Sequence, residues 1–166
     1  MRRITIDLSE ESIAKAIAEI EAYKAELERK VKIFLSRLIE SGYEVADATL
    51  TAISDEEKGD TTITVVPTSE NSISLVMNGE KFLFVEFGAG IAFSQPQNPM
   101  AGQFKMGLGT YPGQTHAYQE EGWWYTDPET NESKHSRGNA PYMPMYKADV
   151  EILRNINTIA KEVFGG

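Results

Sequence analysis

The sequence predicts an α+β protein. Two amphipathic helices, one at each end of the chain, pack on an antiparallel sheet of about four to six strands, with a long loop between. Three observations point there. Apolar residues recur at three- and four-residue steps from Ile13 to Leu38, and again from Met145 to Val163. Between these runs lie β-branched or alternating segments bounded by turn residues, such as Thr61-Thr-Ile-Thr-Val-Val66 before Pro67. The 166 residues, 41% apolar and 25% charged, fit one domain over 1–166 with enough core to fold independently.

Residues 3–7 could form a short strand or arm. Ser9 has the character of an N-cap, and Glu10 and Glu11 fall where carboxylates favour the positive end of a helix. The first helix is expected over about 9–42, closed near Gly42. Positions 13, 20, 27 and 34 fall seven apart, as do 17, 24, 31 and 38, with Lys24 interrupting the second row. A helix of some thirty residues would be about 45–50 Å long, which exceeds the span of a small core. Part of it therefore packs on a neighbouring subunit, or the whole lies across its own sheet. Residues 43–53 fit neither the helical nor the strand period.

The sheet is expected over about 61–87. Ser72-Ile-Ser-Leu-Val-Met77 alternates before Asn78-Gly79, the strongest short hairpin signal, and Lys81-Phe-Leu-Phe-Val-Glu-Phe87 reads as a third strand. A loop over about 88–121 follows, rich in Gly, Pro and Gln and carrying Phe93, Phe104, Met106 and Tyr111. Loops of that length inside a compact domain are usually functional. A hairpin over about 122–138 turns at Asp127-Pro-Glu-Thr-Asn-Glu132; alternation places Trp123 and Tyr125 on one face and Trp124 on the other. Pro141 and Pro144 then lead into a helix over about 144–164, ended by Gly165-Gly166.

A net charge of −9 argues against a general nucleic-acid binder, because phosphate contacts need clustered Lys and Arg. No specific nucleic acid is expected as a partner. The acidic groups at Asp55-Glu56-Glu57, Asp60 and Glu120 to Glu132 read as solvated loops, or as a rim that steers a basic partner. The chain has no cysteine, so disulfides and thiolate metal sites are excluded. The N-terminus lacks the apolar stretch of a secretory signal, and no apolar run approaches the roughly 20 residues of a membrane span.

His116 and His135 could ligate a metal or act as a base, but no HExxH or paired-His spacing accompanies them, so no metal or cofactor site is expected. Gly107-Leu-Gly109 lacks the Lys-Ser/Thr of a phosphate loop. Ser133 and Ser136 fit no nucleophile-elbow pattern. Glu86, in an apolar run, is the carboxylate that its context buries. Beside His135 or Arg137 it could be an acid/base pair, but a structural ion pair pinning the hairpin to the sheet is favoured, since buried charges are normally paired. No catalytic residue is assigned. Aromatics and Met are the side chains most enriched at interface centres. The interface candidates are accordingly Phe93, Phe104, Met106, Tyr111, Trp123, Trp124, Tyr125, His135, Tyr142 and Met143; the ion-pair candidates are Glu86 and Arg137.

Taken in order, Val85-Glu-Phe-Gly-Ala-Gly90, Thr110-Tyr-Pro-Gly-Gln-Thr-His116, Gly122-Trp-Trp-Tyr125, His135-Ser-Arg-Gly138 and Asn139-Ala-Pro-Tyr-Met-Pro-Met-Tyr146 resemble the neck and tail-completion proteins of tailed bacteriophages. The likeness runs from about residue 82 to the end and rests on the order and spacing of the segments. It implies a structural virion protein without catalytic activity, made in the bacterial host cytoplasm. Such subunits form a ring, commonly sixfold, and the partners implied are other copies of the chain, the head-closure or connector protein, and the tail-tube or tail-terminator protein. The second proline, Pro144, departs from the usual family pattern. Two alternatives remain: a small peptidoglycan-active hydrolase using Glu86 and His135, and a module that binds a host protein.

Overall fold

A computed structural model describes Asp7 and residues 9–91, 97–106, 118–127 and 130–165. Among these, the elements are α1 (Glu10–Thr51), α2 (Asp55–Lys58), β1 (Thr62–Ser69), β2 (Ser72–Asn78), α3 (Phe82–Phe87), β3 (Trp123–Thr126), β4 (Ser133–Ser136) and α4 (Pro144–Phe164). The α+β class holds. The single sheet of four to six strands does not: the described strands form two separate antiparallel ribbons, β1–β2 and β3–β4.

Helix α1 starts as expected, with the Ser9 hydroxyl accepting the amide of Ser12 and Glu10 and Glu11 in the first turn. It does not stop near Gly42. It continues to Thr51, a length of about 63 Å at the rise of an α-helix. Gly42 is buried because α4 crosses there: a Cβ on it would lie 2.6 Å from Ile152 Cδ1. The glycine is a packing residue and not a terminator. The segment 43–53, which fits neither period alone, is the most buried part of α1, with Ala46 and Leu50 in the core.

Helices α1 and α4 run antiparallel. Gly42 faces Ile152, Arg37 Nη2 lies 2.5 Å from Glu162 Oε2, and the rings of Phe34 and Phe164 stand edge to face at 5.5 Å. The core gathers Ala46 and Leu50 of α1, Ile53, Ile63, Val85 and Ala148, with Tyr43, Leu75, Met77 and Tyr142 packed against it. It therefore sits at the C-terminal end of α1, where α4, α3 and the β1–β2 ribbon converge.

The β1–β2 ribbon turns at Glu70-Asn71, between paired Ser69 and Ser72, and not at Asn78-Gly79. Asn78-Gly79 instead leaves β2: Gly79 has φ +132°, and the Asp60 carboxylate accepts the Glu80 amide at 2.7 Å. The chain then enters α3 where a third strand was expected. A run of six residues, apolar except for Glu86, suits either conformation. Helix wins because one turn buries Val85 and Glu86 together beneath α4, and Gly88, at φ +72°, ends it. The last helix begins at Pro144, as predicted, with proline in the first position, where its missing N–H is no loss.

Candidate functional site

Segments some fifty residues apart in sequence meet at a knot beside the N-terminus of α4. Ala89 and Asn139 exchange both backbone hydrogen bonds at 2.9 Å. The carbonyl of Val85 accepts the amides of Tyr142 at 2.9 Å and Met143 at 3.4 Å. Gly138 lies against Ala89 at φ +89°, where any side chain would collide with the Ala89 carbonyl. Met143, in left-handed geometry at φ 59°, turns the chain into α4.

Glu86 lies inside this knot, 5% exposed. Its Oε2 accepts the amide of Met145 at 2.9 Å, and its Oε1 accepts the amide of Tyr146 at 3.0 Å and Asn98 Nδ2 at 2.7 Å. Met143 supplies no side-chain cap, so Glu86 from α3 provides acceptors for two free N–H groups of the first turn of α4. The expected Glu86–Arg137 ion pair does not form: Glu86 bonds to Met145, Tyr146 and Asn98, and Arg137 is exposed. A helix N-terminus presents partial positive charge and directed donors, which satisfies a carboxylate without a cation. Burial raises the Glu86 carboxyl above its ordinary range; the amides of Met145 and Tyr146, Asn98 and the nearby Lys147 oppose that rise.

On the other side of the knot, Tyr142 donates its hydroxyl to Glu57 Oε1 at 2.7 Å, which ties α2 to the start of α4. Desolvation, then this bond, pushes the phenol up to about 12, while Tyr142 and then Ser54 hold Glu57 below its ordinary range. Nothing local in sequence marks Glu57 or Asn98, since their partners lie 85 and 12 positions away.

The β3–β4 ribbon projects from the knot, with Trp124 paired to His135 and Tyr125 to Lys134. The two faces divide as alternation requires. Trp123 packs inward near Gly90 and, with Tyr125, Phe84 and Asn139, lines a recess of about 320 Å³. Trp124 points outward, 69% exposed, with its indole 5.0 Å from the His135 ring. His135 thus packs tilted against Trp124 while Glu86 is bonded to α4 and Asn98, and no hydrogen bond or ion pair joins the two. Lys134 pairs with Asp127 across the ribbon's turn, which raises the lysine's pKa.

Phe104 is 64% exposed and leans on Phe87, with ring centroids 5.7 Å apart. It borders an apolar cavity of about 460 Å³ lined also by Met77, Phe82, Met100 and Met145, with Glu86 and Asn98 at its polar end. Met106 is half-buried, its amide bonded to the Ala101 carbonyl, and Tyr142 and Met143 are half-buried in the knot. Phe93, Tyr111 and His116 lie outside the described residues. Of the interface candidates among the described residues, Phe104, Trp124 and His135 are exposed on the outer surface, and Tyr125 is 43% exposed at the rim of the recess.

Among the described residues no three His, Asp or Glu side chains converge in a way that would hold a metal ion, and no helix is long and apolar enough to cross a membrane. The arrangement defines an α+β protein of two antiparallel helices and two ribbons, presenting an aromatic hairpin from a rigid knot. Compared with known protein families, curated proteins and solved structures, the chain finds no match.

Proposed function

We propose that this chain is a structural subunit of a tailed-phage virion, a neck or tail-completion protein that assembles into a ring between the head connector and the tail tube. One observation carries the reading. The segments that resemble that family, Val85–Gly90, Gly122–Tyr125, His135–Gly138 and Asn139–Tyr146, are scattered in sequence yet share one knot, and the aromatic ribbon hangs from it. A joint subunit needs a rigid base and an outward surface able to dock head-to-tail on its neighbour. Trp124, His135, Tyr125 and Phe104 supply such a surface, with the residue types favoured at interface centres.

The hydrolase alternative is less well supported, because both oxygens of Glu86 are already engaged and His135 packs against Trp124 instead. The test is deletion of the gene in a strain that produces the particles, followed by electron microscopy. Separate full heads and finished tails, rejoined when the wild-type chain is restored, are expected. Normal complete particles from the deletion would sink the proposal.

A further inference from the structure

The geometry points to a second site of association, on the N-terminal half of α1, whose occupant is the same half of another copy of this chain, packed antiparallel. Helix α4 covers α1 only as far as Phe34, where Phe164 and then Gly165 end it. The apolar rows that α4 meets at Phe34 and Leu38 continue beyond its end through Leu27, Ile20, Ile17 and Ile13, still spaced by sevens. These side chains remain open: Leu27 is 42% exposed, Ile20 54%, Ile17 53% and Ile13 43%, with Tyr23 beside them at 50%.

The period identifies the kind of partner. A helix lying on a broad surface shows a wide stripe at 3.6 residues per turn, whereas a narrow seam repeating every seven residues keeps facing another helix. Five half-exposed large side chains present on the order of 400–500 Å² per copy, the size of patch that marks a contact site. Two copies, with the stems of flanking residues, reach roughly the lower range of specific interfaces.

Lys24 sets the direction. In a parallel, in-register pair its ammonium would share a layer with Lys24 of the second copy. An antiparallel pair centred near residue 22 separates them: Lys24 lies opposite Ile20 of the second copy, Ile17 opposite Leu27, and Ile13 opposite Val31. Each lysine can then leave the seam toward its own Glu28, already 3.7 Å away. The stretch from Ile13 to Val31, in which Ala16 alone is buried, is about 27 Å long, and the corresponding stretch of the second copy matches it end to end. That helix would begin where α4 stops and run in the same direction. Its Glu10 and Glu11 would then approach Lys161 in the last turn of α4, and the positive end of one helix would meet the negative end of the other. This pairing is independent of the virion reading, since a ring would use the ribbon and Phe104.

The absence of native cysteine makes the test direct. Sedimentation of the full chain should give a dimer that Ile17→Asp converts to monomer without changing the melting temperature. Lys24→Leu should tighten dimerisation by about tenfold or more, a gain that misfolding cannot imitate. Oxidising a mixture of Ile17→Cys and Leu27→Cys variants should yield the mixed crosslink, while Ile17→Cys alone stays uncrosslinked. The inference is overturned if Lys24→Leu remains monomeric, if Ile17→Cys crosslinks to itself as readily as to Leu27→Cys, or if Ile17→Asp leaves an oligomer of unchanged mass.

Discussion

The carboxylate of Glu86 accepts the amide of Met145 at 2.9 Å, across 59 positions of sequence. This bond, with its companion to Tyr146, makes a side chain of α3 the N-terminal cap of α4. Replacing Glu86 with Ala would leave two first-turn amides and Asn98 without their acceptor in a buried place. The expected cost is about 2–3 kcal/mol of unfolding free energy. Denaturant titration of the variant measures it, and a loss below about 0.5 kcal/mol would show that the cap is dispensable.

The same residue gives a signed pH effect. Its carboxyl is raised in the fold, so the folded chain binds the proton more tightly than the unfolded chain does. The stability it contributes is present below about 4.5 and lost as pH rises through the folded value. Glu86→Gln removes that slope. The difference in stability, wild type minus Glu86→Gln, should therefore fall as pH rises from about 4 to 7, and a rise over that range would contradict the assignment.

Tyr142→Phe removes the bond to Glu57 while keeping the ring in the core. A cost of about 1 kcal/mol at neutral pH is expected, reduced from a fully buried charge-assisted bond because Glu57 is partly solvated. The wild-type phenol is raised to about 12, so its contribution is complete below pH 10 and disappears as pH climbs through 12. A spectrophotometric titration in which Tyr142→Phe removes no late-titrating tyrosine would refute this.

Gly42→Ala sets two effects against each other. Alanine favours helix by about 1 kcal/mol over glycine. Its methyl, however, would press on Ile152 Cδ1 and Cγ1 at 2.6 and 2.8 Å, costing about 1–3 kcal/mol in a packed interface. Net destabilisation is expected, and Ile152→Val should relieve part of it in a double-mutant cycle. Simple additivity of the two changes would mean that the contact is not tight.

Trp124→Ser should leave the melting temperature nearly unchanged, because the indole is exposed and touches chiefly His135. Incorporation into particles should nevertheless fall at least tenfold if the ribbon docks. Undiminished incorporation would remove Trp124 from the interface.

The parts of the fold legible in sequence are those set by local chemistry. Ser9 and Pro144 mark helix starts through capping and fixed φ, so both starts are found where expected. The alternation of Trp123, Trp124 and Tyr125 follows from strand geometry alone. The misreadings share one cause, a long-range partner. Gly42 resembled a stop signal, but its glycine serves Ile152, more than a hundred residues on. Asn78-Gly79 carries a strong hairpin signal, yet the turn falls at Glu70-Asn71, and Gly79 packs on Thr61. Phe82–Phe87 became helix because burial under α4 favoured one compact turn over an extended strand. The burial of Glu86 was expected from its apolar neighbours, but no local pattern could show that its partner is a helix end and not Arg137.

The Ala89–Asn139 bridge closes a loop that touches the body at a few anchors, among them Asn98 on Glu86, Phe104 on Phe87 and Trp123 beside Gly90. Closure entropy grows slowly with length, so doubling such a loop costs only about 0.6 kcal/mol. The stretches between those anchors can therefore lengthen or shorten at small cost while α1, α3 and α4 stay as they are. The bridge and its anchors make the stretches between them replaceable cartridges, free to change with whatever they meet.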